Sequence, residues 1–130
     1  MNLLCLKLGA GRGEERFVQA ASPLFPADKV EVFANLDAFA ERLHKPKDAS
    51  CAVLVLGPSD RDLERLASLR SFLKDSRILF VLADGNDQTI ARAHKILPTY
   101  ISYFDSGPTG VITVLKRVMR DAGVRVWENQ

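Results

Sequence analysis

The run Cys-Ala-Val-Leu-Val-Leu at residues 51–56 is the most uniformly apolar stretch of the chain, and it decides the fold class. Gly57-Pro58 stops the run after six residues, a length that favours a strand over a helix. A strand with one face in water alternates apolar and polar residues, whereas a strand that is apolar throughout is covered on both faces. We therefore expect a parallel sheet with helices on each side.

Strand and helix patterns alternate through the rest of the chain. Four further strands are predicted, at residues 3–8, 30–34, 77–83 and 99–104. Apolar residues at helical spacing predict helices at residues 14–24, 36–43, 60–73, 89–97 and 108–121, with Asn35 and Ser59 as caps. Five β-then-α units with right-handed crossovers predict a three-layer, doubly wound α/β fold (flavodoxin-like) with a five-stranded parallel sheet in the order 2-1-3-4-5.

Length and composition suit one domain. The chain has 130 residues, of which 47% are hydrophobic and 26% charged, so wholesale disorder is excluded. We expect a domain at residues 1–123 and a tail or linker stump at residues 124–130. No apolar run approaches the roughly 20 residues that a membrane span requires, so no membrane partner is expected. Cys5 and Cys51 lie in predicted strands, which favours buried reduced thiols and a cytoplasmic location.

The charge balance points away from nucleic acid. A net charge of +2 is too small to argue for it, and no direct nucleic-acid binding is expected. Four basic residues nevertheless cluster near the end, Lys116, Arg117, Arg120 and Arg125. The dipole of the last helix favours basic residues in its final turns, and a docking surface for an acidic partner is the alternative interpretation.

Functional groups in such a sheet lie beyond the carboxyl ends of the strands, which here are the loops at residues 9–13, 34–36, 57–60, 83–87 and 104–107. The glycine-rich loop at residues 9–13 has Glu14 where a dinucleotide fingerprint needs its third glycine, and it lacks a Walker ending. Cys5 lies in mid-strand, unlike the exposed thiolate of a cysteine phosphocarrier. His44 and His94 have no ligand pattern around them and are interpreted as surface residues.

The order of elements resembles the receiver domain of bacterial two-component response regulators over residues 2–121. The resemblance is carried by the strands at residues 52–56 and 78–83 and by the segment at residues 91–102. That segment is similar to the helix, small-residue turn and aromatic-led strand near the end of a receiver. The resemblance implies an acceptor aspartate after the third strand, an acidic pair after the first, Ser or Thr after the fourth and Lys after the fifth.

This chain departs from the receiver pattern at all four places. Gly57 stands at the acceptor position, Leu82 at the Ser/Thr position and Tyr103 at the Lys position, and residues 7–10 contain no carboxylate. Magnesium needs oxygen ligands, and phosphoryl transfer needs an acceptor and a neutralising cation. We therefore expect a pseudo-receiver with no catalytic residue, metal or cofactor. Acids in the same loops, of which Asp60 is the nearest to the acceptor position, are interpreted as caps and turn residues.

The expected function is that of a non-phosphorylated receiver-like protein-interaction module in bacterial signal transduction or transcriptional regulation, and not an enzyme. The resemblance implies a contact face at residues 88–121, with six candidate contact residues, Arg92, Lys95, Tyr100, Tyr103, Lys116 and Arg120. The expected partner is a protein or a second copy of the chain, and an output domain outside this chain is a further expectation. One alternative is a ligand-binding protein or enzyme with its site at the strand carboxyl ends. The other is a true receiver with displaced acidic residues.

Overall fold

Five parallel strands form a single sheet in the computed structural model of the chain, which describes residues 1–9, 13–45, 50–83 and 85–125. The strands are β1 (Asn2–Lys7), β2 (Val30–Phe33), β3 (Cys51–Leu56), β4 (Arg77–Leu82) and β5 (Tyr100–Tyr103). Their order across the sheet is 2-1-3-4-5, as predicted. All four neighbouring pairs are parallel, so the connections cross over the faces of the sheet.

The apolar run that decided the fold class is the central strand. All six residues of β3 are buried, and β1 and β4 pair with it on its two sides. The edge strands β2 and β5 have four residues each and are only partly buried. Burial therefore decreases from the centre of the sheet to its edges, which explains why only β3, β1 and β4 have continuous apolar sequences.

Helices cover both faces of the sheet. Six α-helices lie within the described residues: α1 (Glu14–Ala21), α2 (Leu36–Leu43), α3 (Asp60–Ser68), α4 (Arg70–Leu73), α5 (Asp87–His94) and α6 (Thr109–Asp121). One core cluster joins the sheet to α1 and α6, and the other joins it to α2, α3, α4 and α5. The chain therefore has the three-layer, flavodoxin-like α/β fold that its sequence predicts.

Two helix starts follow from local capping. The Asn35 side chain accepts a hydrogen bond from the Ala38 N–H at 2.8 Å and caps α2. Ser59 caps α3 in a capping box with Asp62, in which each side chain bonds the other residue's backbone N–H, at 3.1 and 2.9 Å. Both caps confirm the prediction, because a short polar side chain satisfies N–H groups that have no partner in the first turn.

Three helix ends differ from the predictions. The helix predicted at residues 14–24 ends at Ala21 and continues as a 3₁₀ turn, Ser22–Leu24, in which Pro23 has no N–H to donate. The helix predicted at residues 60–73 is interrupted at Leu69 and forms α3 and α4. The helix predicted to reach residue 97 ends at His94, and Leu97 has a φ of 58° just before Pro98.

The end of α6 ties the following residues to the domain. Gly123, with a φ of 72°, donates to the Arg120 carbonyl at 3.0 Å, and the Val124 N–H donates to the Met119 carbonyl at 2.8 Å. These two bonds form a Schellman motif, and Val124 packs beside Met119 in the core cluster of α1 and α6. The predicted tail at residues 124–130 thus begins with a residue that packs against the core, and residues 126–130 lie outside the described part of the chain.

No helix within the described residues is long and apolar enough to cross a membrane.

Candidate functional site

The carboxyl ends of the strands are where the sequence predicts a site, and the structure describes most of the loops there. Gly9, Gly57, Ala83 and Phe104 stand beyond β1, β3, β4 and β5. Residues 10–12 of the glycine-rich loop and Asp84 lie outside the described residues. The site is therefore built below from the residues on either side of these gaps.

Gly57, at the predicted acceptor position, is pressed against the backbone of Gly9. Gly57 has a φ of 66°, and its N–H donates to the Val81 carbonyl at 2.8 Å. A β-carbon placed on Gly57 would lie 2.6 Å from the Gly9 Cα and 3.1 Å from the Gly9 nitrogen. No side chain has room there without moving the β1 loop, and L-residues rarely adopt this φ. The space that an acceptor side chain would need is filled by backbone.

Leu82 and Tyr103, at the two other altered positions, belong to the core rather than to the loops. They are register partners in the pairing of β4 with β5. Leu82 is fully buried, and Tyr103 is partly buried against the same cluster, on the side of α2, α3, α4 and α5. The polar group and the cation that a receiver carries at these positions are replaced by apolar packing.

Phe104 closes the site from the β5 side. Its ring packs edge-on against Phe17 of α1 with centroids 5.5 Å apart, and its Cε2 would be 3.3 Å from a β-carbon on Gly57. The Arg16 guanidinium donates to the Phe104 carbonyl at 2.9 Å and lies 5.7 Å from the Phe17 ring centroid. No local pattern in the sequence predicts these contacts of Phe104, because Arg16 and Phe17 are distant from it in the chain.

Glu14 brings a carboxylate to the end of β1, where the sequence suggests none. It is 2% exposed, and its Oε2 accepts a hydrogen bond from the Gly9 N–H at 2.8 Å. Glu15 instead points outward and pairs with Lys7 at 2.8 Å. Residues 7–10 themselves contain no carboxylate, and Glu14 reaches back five residues from α1 to Gly9 at the end of β1. The signal in the sequence was an acid in the first helical turn directly after a glycine loop.

Asp60, the nearest acid to the acceptor position, is engaged in holding two helices together. It accepts a hydrogen bond from the Thr89 hydroxyl at 2.8 Å and pairs with Arg92 at 2.8 Å. Arg92 also approaches Glu64 at 3.8 Å. These contacts link α3 to α5 and occupy Asp60 with a structural role.

A cavity of about 560 Å³ remains beside the Gly9–Gly57 contact. Its described lining residues are Gly9, Arg16, Gly57, Ala83, Phe104 and Asp105. It offers one cation, one carboxylate and one aromatic wall. Within the described residues, no three His, Cys, Asp or Glu side chains lie together as a metal-binding group.

The six candidate contact residues lie on or next to α5, β5 and α6. Tyr100 packs towards α6, where a β-carbon on Gly110 would lie 2.5 Å from its hydroxyl, while Tyr103 packs on the opposite face of the sheet. Arg92 pairs with Asp60 of α3, and Lys95 is exposed at the end of α5. Lys116 and Arg120 line a separate cavity at the end of α6.

The cysteines and histidines take the positions that the sequence suggests. Cys5 and Cys51 are buried reduced cysteines in the core clusters on opposite faces of the sheet. Burial raises the pKa of the Cys5 thiol to about 12, so almost no thiolate forms at neutral pH. His44 is exposed with its ring edge-on to Phe72, and His94 is exposed at the end of α5.

No model of a protein family matches the chain, and no curated protein matches it either. The order of the strands and the two layers of helices define the fold class. A function inferred from the resemblance to receivers is a proposal.

Proposed function

We propose that this chain is a non-phosphorylated receiver-like module that binds a protein partner in bacterial signal transduction or transcriptional regulation. The proposal combines the receiver resemblance of the sequence with a five-stranded sheet in the order 2-1-3-4-5. The observation that carries it is the contact between Gly57 and Gly9, where a β-carbon on Gly57 would lie 2.6 Å from the Gly9 Cα.

Three of the four groups that a receiver uses at its strand ends have a replacement in this chain. A nucleophile needs a side chain at position 57, where the Gly9 backbone leaves no space. The fourth- and fifth-strand positions are filled by Leu82 and Tyr103, which contribute to the core. Phosphoryl transfer depends on positioned charge, so these replacements favour a domain whose association does not depend on phosphate.

The binding role is proposed for the edge of the sheet at β5 with α5 and α6, residues 88–121. The candidate contacts there, for a second copy of the chain or for an output domain, are Lys95, Tyr100, Tyr103, Lys116 and Arg120. Arg92 is a weaker candidate because it is already paired with Asp60. The proposed location is the cytoplasm, and it is supported by two buried reduced cysteines in the core.

Labelling with acetyl phosphate in the presence of magnesium tests the proposal. We expect the intact mass of the folded chain to stay unchanged, because Gly57 carries no nucleophile and the Gly9 backbone fills the space beside it. The Asp60→Asn variant is the matched control for a displaced acceptor. A mass increase of one phosphoryl group that disappears in Asp60→Asn would overturn the proposal in favour of a true receiver.

A ligand-binding function is the second candidate, and the cavity beside Phe104 favours it. Arg16 and Asp105 supply opposite charges around about 560 Å³, a volume in the range of small-ligand pockets. Native mass spectrometry of the purified chain tests it directly. A bound small molecule that is lost in Arg16→Ala would favour this function, and the bare chain mass in both proteins would count against it.

A further inference from the structure

A concave basic surface lies at the end of α6, away from the strand ends. The cavity has a volume of about 510 Å³, and its described lining residues are Lys116, Arg120, Gly123, Val124 and Arg125. Three of the five are cations, and none is acidic. A concave surface lined by one sign of charge concentrates its potential on whatever enters it.

The base of this surface is held rigidly. Gly123 and Val124 close the Schellman motif on the carbonyls of Arg120 and Met119, at 3.0 and 2.8 Å. Val124 packs into the core cluster, which fixes the backbone next to Arg125. Arg125, the cation that follows α6, therefore lies next to Lys116 and Arg120 on the last turns of that helix.

The helix dipole does not explain the whole arrangement. A helix end favours one or two cations, but Lys116 and Arg120 are four residues apart on one face, where like charges repel each other. Neither Arg120 nor Arg125 forms an ion pair with any described residue. Asp121, the acid next in sequence, lines a different cavity together with Arg77 and Arg117.

We propose that the surface formed by Lys116, Arg120, Val124 and Arg125 binds an acidic segment of a protein partner. Carboxylates of such a segment pair with the exposed Arg120 and Arg125, and an aliphatic side chain between them contacts Val124. This inference rests on the proposed function, since it names the chemistry of the protein that the module binds. Nucleic acid is the poorer match, because its interfaces cover about 1,000–2,500 Å² and need a larger basic field than a chain of net charge +2 provides.

An amide NMR titration with a short synthetic peptide of Asp and Glu around one Leu tests the proposal. We expect shifts concentrated at residues 116–125, weakening as salt is added, and none with the same peptide in Asn and Gln form. Reversing two exposed charges in Arg120→Glu/Arg125→Glu weakens binding by about tenfold or more. The matched control Lys29→Glu/Lys74→Glu changes net charge equally at distant exposed lysines and leaves the affinity unchanged.

Three outcomes would overturn the inference: shifts absent from residues 116–125, equal weakening in both double variants, or tighter binding of a single-stranded oligonucleotide of the same charge. The acetyl phosphate experiment separates this inference from the proposed function. If the peptide fails to bind a chain that takes no label, only the acidic partner is excluded. If the chain takes label and still binds the peptide at residues 116–125, the basic surface is retained and the phosphate-independent function is excluded.

Discussion

Gly9 and Gly57 touch backbone to backbone at the carboxyl ends of β1 and β3, and each is placed where a side chain on the other would collide. A β-carbon on Gly57 would lie 2.6 Å from the Gly9 Cα, and one on Gly9 would lie 3.3 Å from the Gly57 Cα. The first residues of the two loops therefore meet at the switch point of the sheet, the place where α/β proteins of this type bind ligands.

The Gly57→Ala substitution is expected to cost about 2–4 kcal/mol of unfolding free energy, from the left-handed φ together with the collision. Gly107→Ala separates the two causes, because Gly107 has a φ of 72° and open space around its β-carbon position. It should cost only about 1–2 kcal/mol. Urea denaturation of both variants checks this, and equal losses would show that the Gly9 contact contributes nothing.

Glu14 is expected to matter more than its neighbour Glu15. The buried Glu14 carboxylate accepts from the Gly9 N–H, so Glu14→Ala leaves a backbone donor without that partner and costs about 1–3 kcal/mol. Glu15→Ala removes an exposed pair with Lys7 and should change stability little. Thermal unfolding of the two variants side by side is the measurement, and similar losses would contradict the role given to Glu14.

The Asp60–Arg92 pair is expected to couple α3 to α5. Both side chains are partly exposed, so a double-mutant cycle with Asp60→Asn and Arg92→Ala should give a coupling of about 0.5–1 kcal/mol. The more exposed pair of Arg65 with Asp37 is the matched comparison and should give less. Additive effects of Asp60→Asn and Arg92→Ala would mean that the two side chains act independently.

Alkaline pH is expected to weaken the fold through Cys5. Its pKa is raised by burial from 9.0 to about 12, so the unfolded chain loses this proton at a pH where the folded chain keeps it. The free energy of unfolding therefore falls as pH rises from about 9 towards 12, by up to about 1.4 kcal/mol per pH unit. Urea denaturation at several pH values should show a shallower fall in Cys5→Ala.

The titration of Lys7 also contributes to the dependence of stability on pH. Its pKa is raised above 10.5 by the hydrogen bond to Glu15, so it adds a further loss of stability at the upper end of the pH range, in both proteins. An identical pH slope in the wild type and in Cys5→Ala would show that the Cys5 thiol does not contribute.

The fold could be predicted from the sequence because its signals are local. The run of β3 is buried at every position, and the caps at Asn35 and Ser59 act within one helical turn. Helix ends were less predictable, since the break at Leu69 and the left-handed Leu97 have no strong local signal. The positions at which the chain departs from the receiver pattern were visible in the sequence, but the tight contact at Gly57 was not. That contact is with Gly9, which is close only in the folded chain.

An amide NMR titration uses magnesium and beryllofluoride, a stable mimic of an aspartyl phosphate. It tests most directly whether the strand ends of this chain lack a receiver's response to phosphate. Because the Gly57 backbone lies against the Gly9 backbone, we expect the spectrum to stay unchanged at millimolar ligand. Shifts concentrated at Gly9, at residues 57–60 and at Ala83 would contradict this and would mean that an acidic phosphate-binding site survives at the strand ends.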